Sequence, residues 1–150
     1  MIIISHRGNL LGKKTNKENT PNYIDEALNY GLNVEVDIRF IKNHFYLGHD
    51  FPKTKISYSW LKKRSQNLLI HCKNHHALFN LKQFHTFFHQ GDDFVYTSKN
   101  YIWQHNLRFK VNSRSIIPVF EKNKFIEWLS KKNNLPFGIC TDWPLINDYK

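Results

Sequence analysis

Short runs of apolar and β-branched residues recur along the chain, and each has the length of a β-strand. The run that begins at Asn33 alternates apolar with charged side chains, as expected for a strand whose two faces meet different surroundings. We predict strands at residues 2–5, 33–39, 45–48, 68–72, 94–97, 115–120 and 137–141. The chain is therefore expected to build a sheet from these seven strands.

The segments between most of these strands carry helical periodicity. Pro21 follows Thr20, which suits the first turn of a helix, and that helix is expected to end near Gly31. We predict helices at residues 21–31, 58–64, 74–89, 101–109 and 121–132. Strands that alternate with helices predict an α/β fold, with parallel strands and helices packed outside them.

The chain length indicates a shortened form of this architecture. A full (β/α) barrel of the TIM type usually needs about 250 residues, whereas this chain has 150. The connection from Arg39 to Phe45 is too short for a helical crossover, so we expect a hairpin there. No repeat, linker or low-complexity segment divides the chain. We expect one domain over residues 1–150, folded as a reduced or truncated (β/α) TIM-type barrel.

The composition adds a strong positive charge to this picture. Lys and Arg number 22 against 12 Asp and Glu, which gives a formal net charge of +10. Such a charge favours an anionic partner, whether nucleic acid, a phospholipid surface or a phosphorylated substrate. No helix-turn-helix, zinc-finger or RNA-binding signature accompanies it. A basic nucleic-acid-binding module is therefore the less favoured reading.

Sequence features also bear on location and assembly. The apolar runs are far shorter than the roughly 20 residues that a membrane-spanning helix needs, so we expect no transmembrane segment. The N-terminus lacks the features of a secretory signal, and Cys72 and Cys140 have no C-x-x-C spacing. We expect a cytoplasmic protein with reduced cysteines, and a homodimer would cover the exposed edges of a small barrel.

Polar residues stand at the carboxyl ends of the predicted strands. They are His6-Arg7-Gly8 after the first strand, Glu35 and Asp37 on the second, His49-Asp50 after the third, His71 and Lys73 on the fourth, and Thr141-Asp142 on the last. Side chains alternate along a strand, so each pair two residues apart faces one side. Because the carboxyl ends of parallel strands meet at one mouth, we expect a single site there. Two carboxylates on one face can hold a divalent cation.

Five ordered motifs resemble the glycerophosphodiester phosphodiesterase family. They are His6-Arg7-Gly8, Glu18-Asn19-Thr20, Glu35-Val36-Asp37-Ile38-Arg39, Gly48-His49-Asp50 and Gly138-Ile139-Cys140-Thr141-Asp142-Trp143-Pro144. Together they span nearly the whole chain. The resemblance implies a barrel like that of the phosphatidylinositol phosphodiesterases. It also implies metal-dependent hydrolysis of a small phosphodiester substrate, either a glycerophosphodiester or a head group derived from a phospholipid or linked to a glycan.

The same resemblance implies roles for individual residues. His6 and His49 match the paired catalytic histidines, and imidazole exchanges protons near neutral pH, as an acid and a base require. Glu35 and Asp37 match metal ligands. The expected substrate-binding residues are Arg7 and Lys73 on the phosphate, Glu18 near the metal or the substrate hydroxyls, and Trp143. For Trp143, we consider either a wall of the active-site mouth or plain packing.

His71 departs from the family's pattern, because the family usually has a glutamate two residues before the lysine. We predict that His71 is the third metal ligand. The carboxylates favour Mg or Ca, while the imidazole makes Mn or Zn possible. The alternative is that His71 contacts the substrate phosphate or stacks against Trp143.

Two further alternatives stay open. The chain is shorter than the barrels of the family, so a catalytically impaired phosphate-binding relic of the same fold is the alternative function. His85 and His89 are four residues apart in a predicted helix and could bind a metal, although solvated helix positions are the more usual outcome.

Overall fold

A curled β-sheet with helices on its outer side forms the framework of the protein. The computed structural model describes residues 1–146. Its strands are β1 (Ile2–His6), β2 (Asn33–Ile41), β3 (His44–Leu47), β4 (Thr54–Ile56), β5 (Leu68–Cys72), β6 (Thr86–Phe87), β7 (Phe94–Tyr96), β8 (Ile102–Gln104), β9 (Ser115–Pro118) and β10 (Gly138–Thr141). Its helices are α1 (Pro21–Asn29), α2 (Tyr58–Arg64), α3 (His75–Asn80) and α4 (Lys122–Ser130).

The parallel part of the sheet runs in the order β8, β9, β10, β1, β2, β5, β6. The expected mixed α/β class with parallel strands is confirmed, and the sheet curls into a half-barrel. Between β6 and β8, the described residues form no strand pairing; the edges meet through the stacked rings of Phe87 and Trp103, 4.5 Å apart. Closure into a TIM-type barrel is therefore not established.

The expected hairpin is present on one side of this sheet. β3 pairs antiparallel with the second half of β2, and β4 pairs antiparallel with β3. The turn at Lys42 and Asn43 has positive φ at both residues, which is the geometry of a tight two-residue hairpin turn. The hairpin thus precedes α2, and α2 then makes the crossover from β2 to its parallel neighbour β5.

Alternation along the strands divides the core into an outer and an inner layer. On β2, Val34, Val36 and Ile38 pack outward against the buried faces of α1, α2 and α3. Glu35 and Asp37 occupy the intervening positions of the same strand and are also buried. The inner layer below the site is apolar and contains Ile4, Leu69, Phe87, Trp103, Ile116 and Cys140. One face of each strand therefore stabilises the fold, while the upper part of the other face is free to carry polar groups.

Two predicted helices are wrong over most of their length. The segment predicted as a helix at residues 74–89 is helical only at α3. α3 begins after Asn74, whose side chain accepts a hydrogen bond from the Ala77 N–H, and the chain then continues into β6. Residues 101–109 contain β8 instead of a helix. In both segments, pairing with a neighbouring strand buries one aromatic side chain, Phe87 on β6 and Trp103 on β8, and overrides the helical spacing. His85 and His89 therefore do not share a helical face.

One strand, β4, lies in a segment for which the sequence predicted no element. Its three residues Thr54-Lys55-Ile56 are too few to show an alternating pattern. No helix among the described residues combines the length and the apolar character needed to cross a membrane.

Candidate functional site

A cavity of about 560 Å³ opens at the carboxyl ends of the parallel strands. The predicted site residues that line it are His6, Arg7, Glu35, His49, His71 and Lys73. Asp37 lies directly behind this lining, with its side chain fully buried. Glu18 lines a smaller pocket next to the cavity, to which Arg7 and His49 also contribute. The topology thus brings most of the predicted residues together at one mouth.

Glu35, Asp37 and His71 form an acidic cluster at the floor of the cavity. The register of β2 against β5 places Asp37 directly beside His71. One potential ligand atom from each of the three residues lies within 4.8 Å of the other two. His71 Nδ1 is 3.1 Å from Asp37 Oδ1 and 3.9 Å from Glu35 Oε1. The spacing allows the three side chains to share one cation.

Burial and mutual charge set the protonation of this acidic cluster. Burial, and after it the negative charge of Asp37, raises the pKa of Glu35 well above its usual range. Burial alone would raise the pKa of Asp37 as well, but contact with His71 and the charge of Arg7 outweigh it and lower this pKa. Burial lowers the pKa of His71 despite the nearby Asp37. His71 is therefore neutral near pH 7, which is the form in which imidazole ligates a metal.

The donor atoms of the acidic cluster fit a divalent cation. Glu35 Oε2 and His71 Nε2 are buried without a hydrogen-bond partner among the described residues, and Asp37 Oδ1 faces His71 without an aligned hydrogen bond. Buried polar groups are normally paired, so unpaired atoms on all three residues of the acidic cluster favour a ligand there. Two carboxylates and one imidazole are a donor set that divalent metals accept. The identity of the metal does not follow from this geometry.

A second group of possible ligands, His6, Glu18 and Asp142, is satisfied without a metal. The amide of Asn9 donates to Glu18 Oε1 and to Asp142 Oδ1, at 2.8 Å in each case. His6 Nδ1 lies 2.7 Å from the same Asp142 oxygen. The Asn9 amide therefore occupies the position between the two carboxylates that a cation would need.

Arg7 and Lys73 supply positive charge at opposite sides of Asp37. Arg7 Nε lies 2.8 Å from Asp37 Oδ2, and Lys73 Nζ lies 3.9 Å from Asp37 Oδ1. Burial alone would lower the pKa of Arg7, but the carboxylates of Asp37, Glu35 and Glu18 raise it. Arg7 has a positive φ of 55°, so the chain turns sharply after β1 and directs this side chain back over the carboxylates. Both cations line the cavity.

His6 is held in a fixed orientation at the end of β1. Its Nδ1 is bonded to Asp142 at the end of the neighbouring strand β10, and its ring stacks on Phe120 with a centroid distance of 4.2 Å. A carboxylate can only accept, so Nδ1 carries the hydrogen of this bond. The other nitrogen, Nε2, lies 3.9 Å from Glu35 Oε2. Nε2 is therefore the atom of His6 that is available for proton transfer.

His49 is oriented in a similar way but lies closer to solvent. Its Nδ1 is 2.7 Å from Asp50 Oδ1, and its side chain is 37% exposed. The backbone carbonyl oxygen of His49 accepts a 2.6 Å hydrogen bond from Arg39, which belongs to β2. Gly48 precedes it with φ at +143°, and a Cβ there would overlap the carbonyl oxygen of Phe51. Only glycine lets the chain leave the hairpin along the path that carries His49 to the cavity.

Trp143 is absent from the lining of the cavity and packs beside it. Its indole Nε1 donates to the carbonyl oxygen of Phe120 at 3.0 Å, and its ring lies against Gly12. The aromatic residue beside His6 is Phe120, which Trp143 holds in place. One alternative role for His71 was stacking against Trp143. In the structure, the His71 ring stacks on Phe87 and His89 and not on Trp143.

The sequence did not single out several residues that build the site. Asn9 and Asn19 bind the buried carboxylates, and Phe120, Trp103 and His105 line the cavity. Asn19 belongs to one of the sequence motifs. Its hydrogen bond to Asp37, however, joins residues that are 18 positions apart, and the sequence gives no sign of this pairing. Trp103 and His105 were hidden because their segment was predicted as a helix. No family model, curated protein or solved structure matches this chain.

Proposed function

We propose that this protein is a metal-dependent phosphodiesterase that hydrolyses a glycerophosphodiester or a related phosphodiester. The observation that carries the proposal is the convergence, around one cavity, of two imidazoles oriented by carboxylates, two cationic side chains and the acidic cluster. Such a set can bind a phosphate, move two protons and stabilise developing negative charge. The motifs that resemble the glycerophosphodiester phosphodiesterase family supply the substrate class.

We also infer that the fold is a reduced barrel of the (β/α) type. The parallel order of the strands and the position of the cavity at their carboxyl ends support this inference. The short strands β6 and β8, of two and three residues, account for part of the smaller size.

In the proposed reaction, His6 and His49 move the protons. One Nε2 accepts a proton from the attacking water or substrate hydroxyl, and the other donates a proton to the leaving alkoxide oxygen. Asp142 and Asp50 keep the two Nδ1 atoms as hydrogen-bond donors, so both Nε2 atoms are available for these transfers. Positioned acid and base groups of this kind contribute roughly 10²–10⁴-fold to a rate.

Arg7 and Lys73 bind the phosphoryl group in this proposal. Their positive charges face the cavity, and a guanidinium can form two parallel hydrogen bonds to phosphate oxygens. A divalent cation bound by Glu35, Asp37 and His71 would act as a Lewis acid on a phosphoryl oxygen. Mg or Ca suit the two carboxylates, whereas His71 makes Mn or Zn acceptable.

The first test compares His6→Ala and His49→Ala with the parent on a panel of glycerophosphodiesters, in the presence of Mg, Ca, Mn or Zn. Each variant is expected to lower kcat by at least about 100-fold, since each removes one proton-transfer group. Circular dichroism should show that both variants remain folded. His44→Ala is the matched control, because His44 is exposed on β3 and does not line the cavity.

Two results would overturn the proposal. The parent could cleave no phosphodiester with any of the four metals, or a histidine variant could retain near-normal turnover. Binding of inorganic phosphate by a parent without turnover would instead favour the phosphate-binding relic.

A further inference from the structure

The cavity has two chemically different sides. Its charged side comes from the ends of β1, β2, β5 and β10 and from the segment after β3, and includes Arg7, Glu35, Lys73 and Asp142. Its other side comes from β8 and from the segments that follow β6, β8 and β9. We call this second side the aromatic wall; it consists of His89, Gln90, Trp103, His105 and Phe120. β6 and β8 are the two edges of the parallel sheet, and the stacked rings of Phe87 and Trp103 bring these edges together on this side of the cavity.

The aromatic wall is built on stacked rings that hold one another in place. His89 stacks on His71 with a centroid distance of 4.7 Å and an angle of 6° between the rings. Trp103 stacks on Phe87 at 4.5 Å, and His105 lies 5.9 Å from His89. Since Trp103 is only 4% exposed, the base of the wall is fixed within the core. His89, Gln90 and His105 are the polar side chains that this base presents to the cavity.

The chemistry of the aromatic wall disfavours a cationic alcohol. The carboxylates that line the cavity are Glu35, in the acidic cluster, and Asp142, which is bonded to His6 and Asn9. None of the five residues of the aromatic wall is a carboxylate, and Lys13 and Lys73 add positive charge to the cavity. A quaternary ammonium can instead be bound by open aromatic faces. Here, however, the ring of Trp103 is buried against Phe87, and one face of Phe120 is covered by His6. On the aromatic wall itself, a choline-like group would find neither a carboxylate nor an aromatic cage.

Hydroxyl groups match the polar groups of the aromatic wall. Neutral imidazole has one donor and one acceptor nitrogen, and the amide of Gln90 offers both functions as well. The backbone N–H of Gly91 points to Nδ1 of His89 at a long distance of 3.4 Å, which leaves Nε2 of this ring available. Side chains that can both donate and accept hydrogen bonds are suited to an alcohol with several hydroxyls. The cavity volume of about 560 Å³ is sufficient for such a group in addition to a phosphate.

We propose that the aromatic wall binds the alcohol portion of the substrate and that this alcohol is a neutral polyol, such as a sugar or cyclitol ring. The inference rests on the proposed phosphodiesterase function and specifies its substrate. His89, Gln90 and His105 determine the specificity, while the charged side holds the phosphate.

The test compares glycerophosphoinositol, a neutral cyclitol ester, with glycerophosphocholine, a cationic ester of the same phosphate. The parent is expected to show at least a tenfold higher kcat/KM for the inositol ester. Gln90→Ala and His105→Ala should each reduce this ratio by at least fivefold, because they remove hydrogen bonds to hydroxyl groups. His75→Ala, on the exposed start of α3, is the control and should leave the ratio unchanged.

A binding experiment separates this inference from the proposed function. Inositol 1-phosphate and phosphocholine are titrated into the parent by calorimetry in the presence of Mg. At least tenfold tighter binding of inositol phosphate supports the inference even if neither diester is cleaved, in which case only the phosphodiesterase proposal fails. Equal affinity, or tighter binding of phosphocholine, overturns the inference, as does a ratio of kcat/KM that the variants do not change.

Discussion

His71 connects the two sides of the cavity. Its Nδ1 faces Asp37, and its ring stacks on those of both Phe87 and His89. The stacked rings restrict rotation of the imidazole, so its nitrogen remains near the carboxylates. A change at this residue would therefore act directly on the proposed metal site and, through packing, on the aromatic wall.

We expect His71→Glu to change the metal preference of the protein. A third carboxylate adds negative charge and a hard oxygen donor, so the affinities for Mg and Ca should rise relative to those for Mn and Zn. Calorimetric titration with the four metals measures this ranking without relying on activity. His76→Glu, exposed on α3, controls for the added charge. An unchanged ranking would mean that His71 is not a ligand and would leave contact with the substrate phosphate as its role.

At the level of single residues, the strand alternation predicted that Glu35 and Asp37 share a face, and both are buried on the inner side of β2. The carboxylate partner of His6 could not be predicted in this way. Asp142 reaches His6 only because β10 pairs with β1 across 136 residues of sequence. Local patterns carry no information about such a long-range register.

Among the elements, the β3–β4 hairpin places the strictest steric requirement on a single residue, Gly48. It delivers His49 to the cavity through the turn at Gly48, where the backbone adopts a φ of +143° and the Phe51 carbonyl oxygen leaves no room for a side chain. Gly31, after α1, also has a positive φ, of +75°, but nothing lies within 4 Å of a Cβ placed there. A comparison of the two glycines therefore distinguishes the cost of a positive φ from the cost of steric overlap.

We expect Gly48→Ala to be clearly more destabilising than Gly31→Ala. Placing a non-glycine residue at positive φ costs about 1–2 kcal/mol, and overpacking at Gly48 adds about 1–3 kcal/mol. Gly48→Ala should also reduce turnover, because the hairpin must shift and carry His49 with it. Urea denaturation measures the free energy of unfolding of both variants. Equal destabilisation would show that the path of the chain at Gly48 is not constrained by Phe51.

The sequence was informative about elements with a clear period and misleading where aromatic residues had helical spacing. The predicted helix at residues 58–64 coincides with α2, and the hairpin was expected from the short link after Arg39. Phe84, Phe87 and Phe88 resemble one face of a helix, but Phe87 belongs to a strand of two residues that pairs with β5. Strands this short carry almost no pattern, so their pairing partners decide their conformation.

For the molecule as a whole, the acidic cluster is a source of strain that a cation can relieve. Glu35 and Asp37 are both buried, and their mutual repulsion contributes to the raised pKa of Glu35. A ligand that binds only the folded state stabilises it by about 2.7 kcal/mol when its concentration is 100 times Kd. Metal binding should therefore stabilise the entire fold.

We expect Tm to rise by roughly 5–10 °C when the metal-free protein is saturated with its preferred cation. Glu35→Gln should abolish most of this rise, since it removes a ligand, without lowering Tm in the presence of a chelator. Glu26→Gln is the control, because Glu26 is exposed on α1 and lines neither the cavity nor the pocket beside it. Differential scanning calorimetry measures all three proteins. A metal-dependent rise in Glu35→Gln that equals that of the parent would exclude Glu35 as a ligand.

The elements that carry His6 and His49 are attached to the sheet in different ways. His6 belongs to a strand with parallel neighbours on both sides, whereas His49 follows a ribbon whose strand pairing to the rest of the sheet is through residues 38–41 of β2. The segment that carries His49 is exposed from Asp50 to Lys53, and exposed loops open at a lower cost in free energy than core strands do. On warming, opening of this segment would separate the proposed proton-transfer pair while the strands remain intact, so inactivation would precede denaturation.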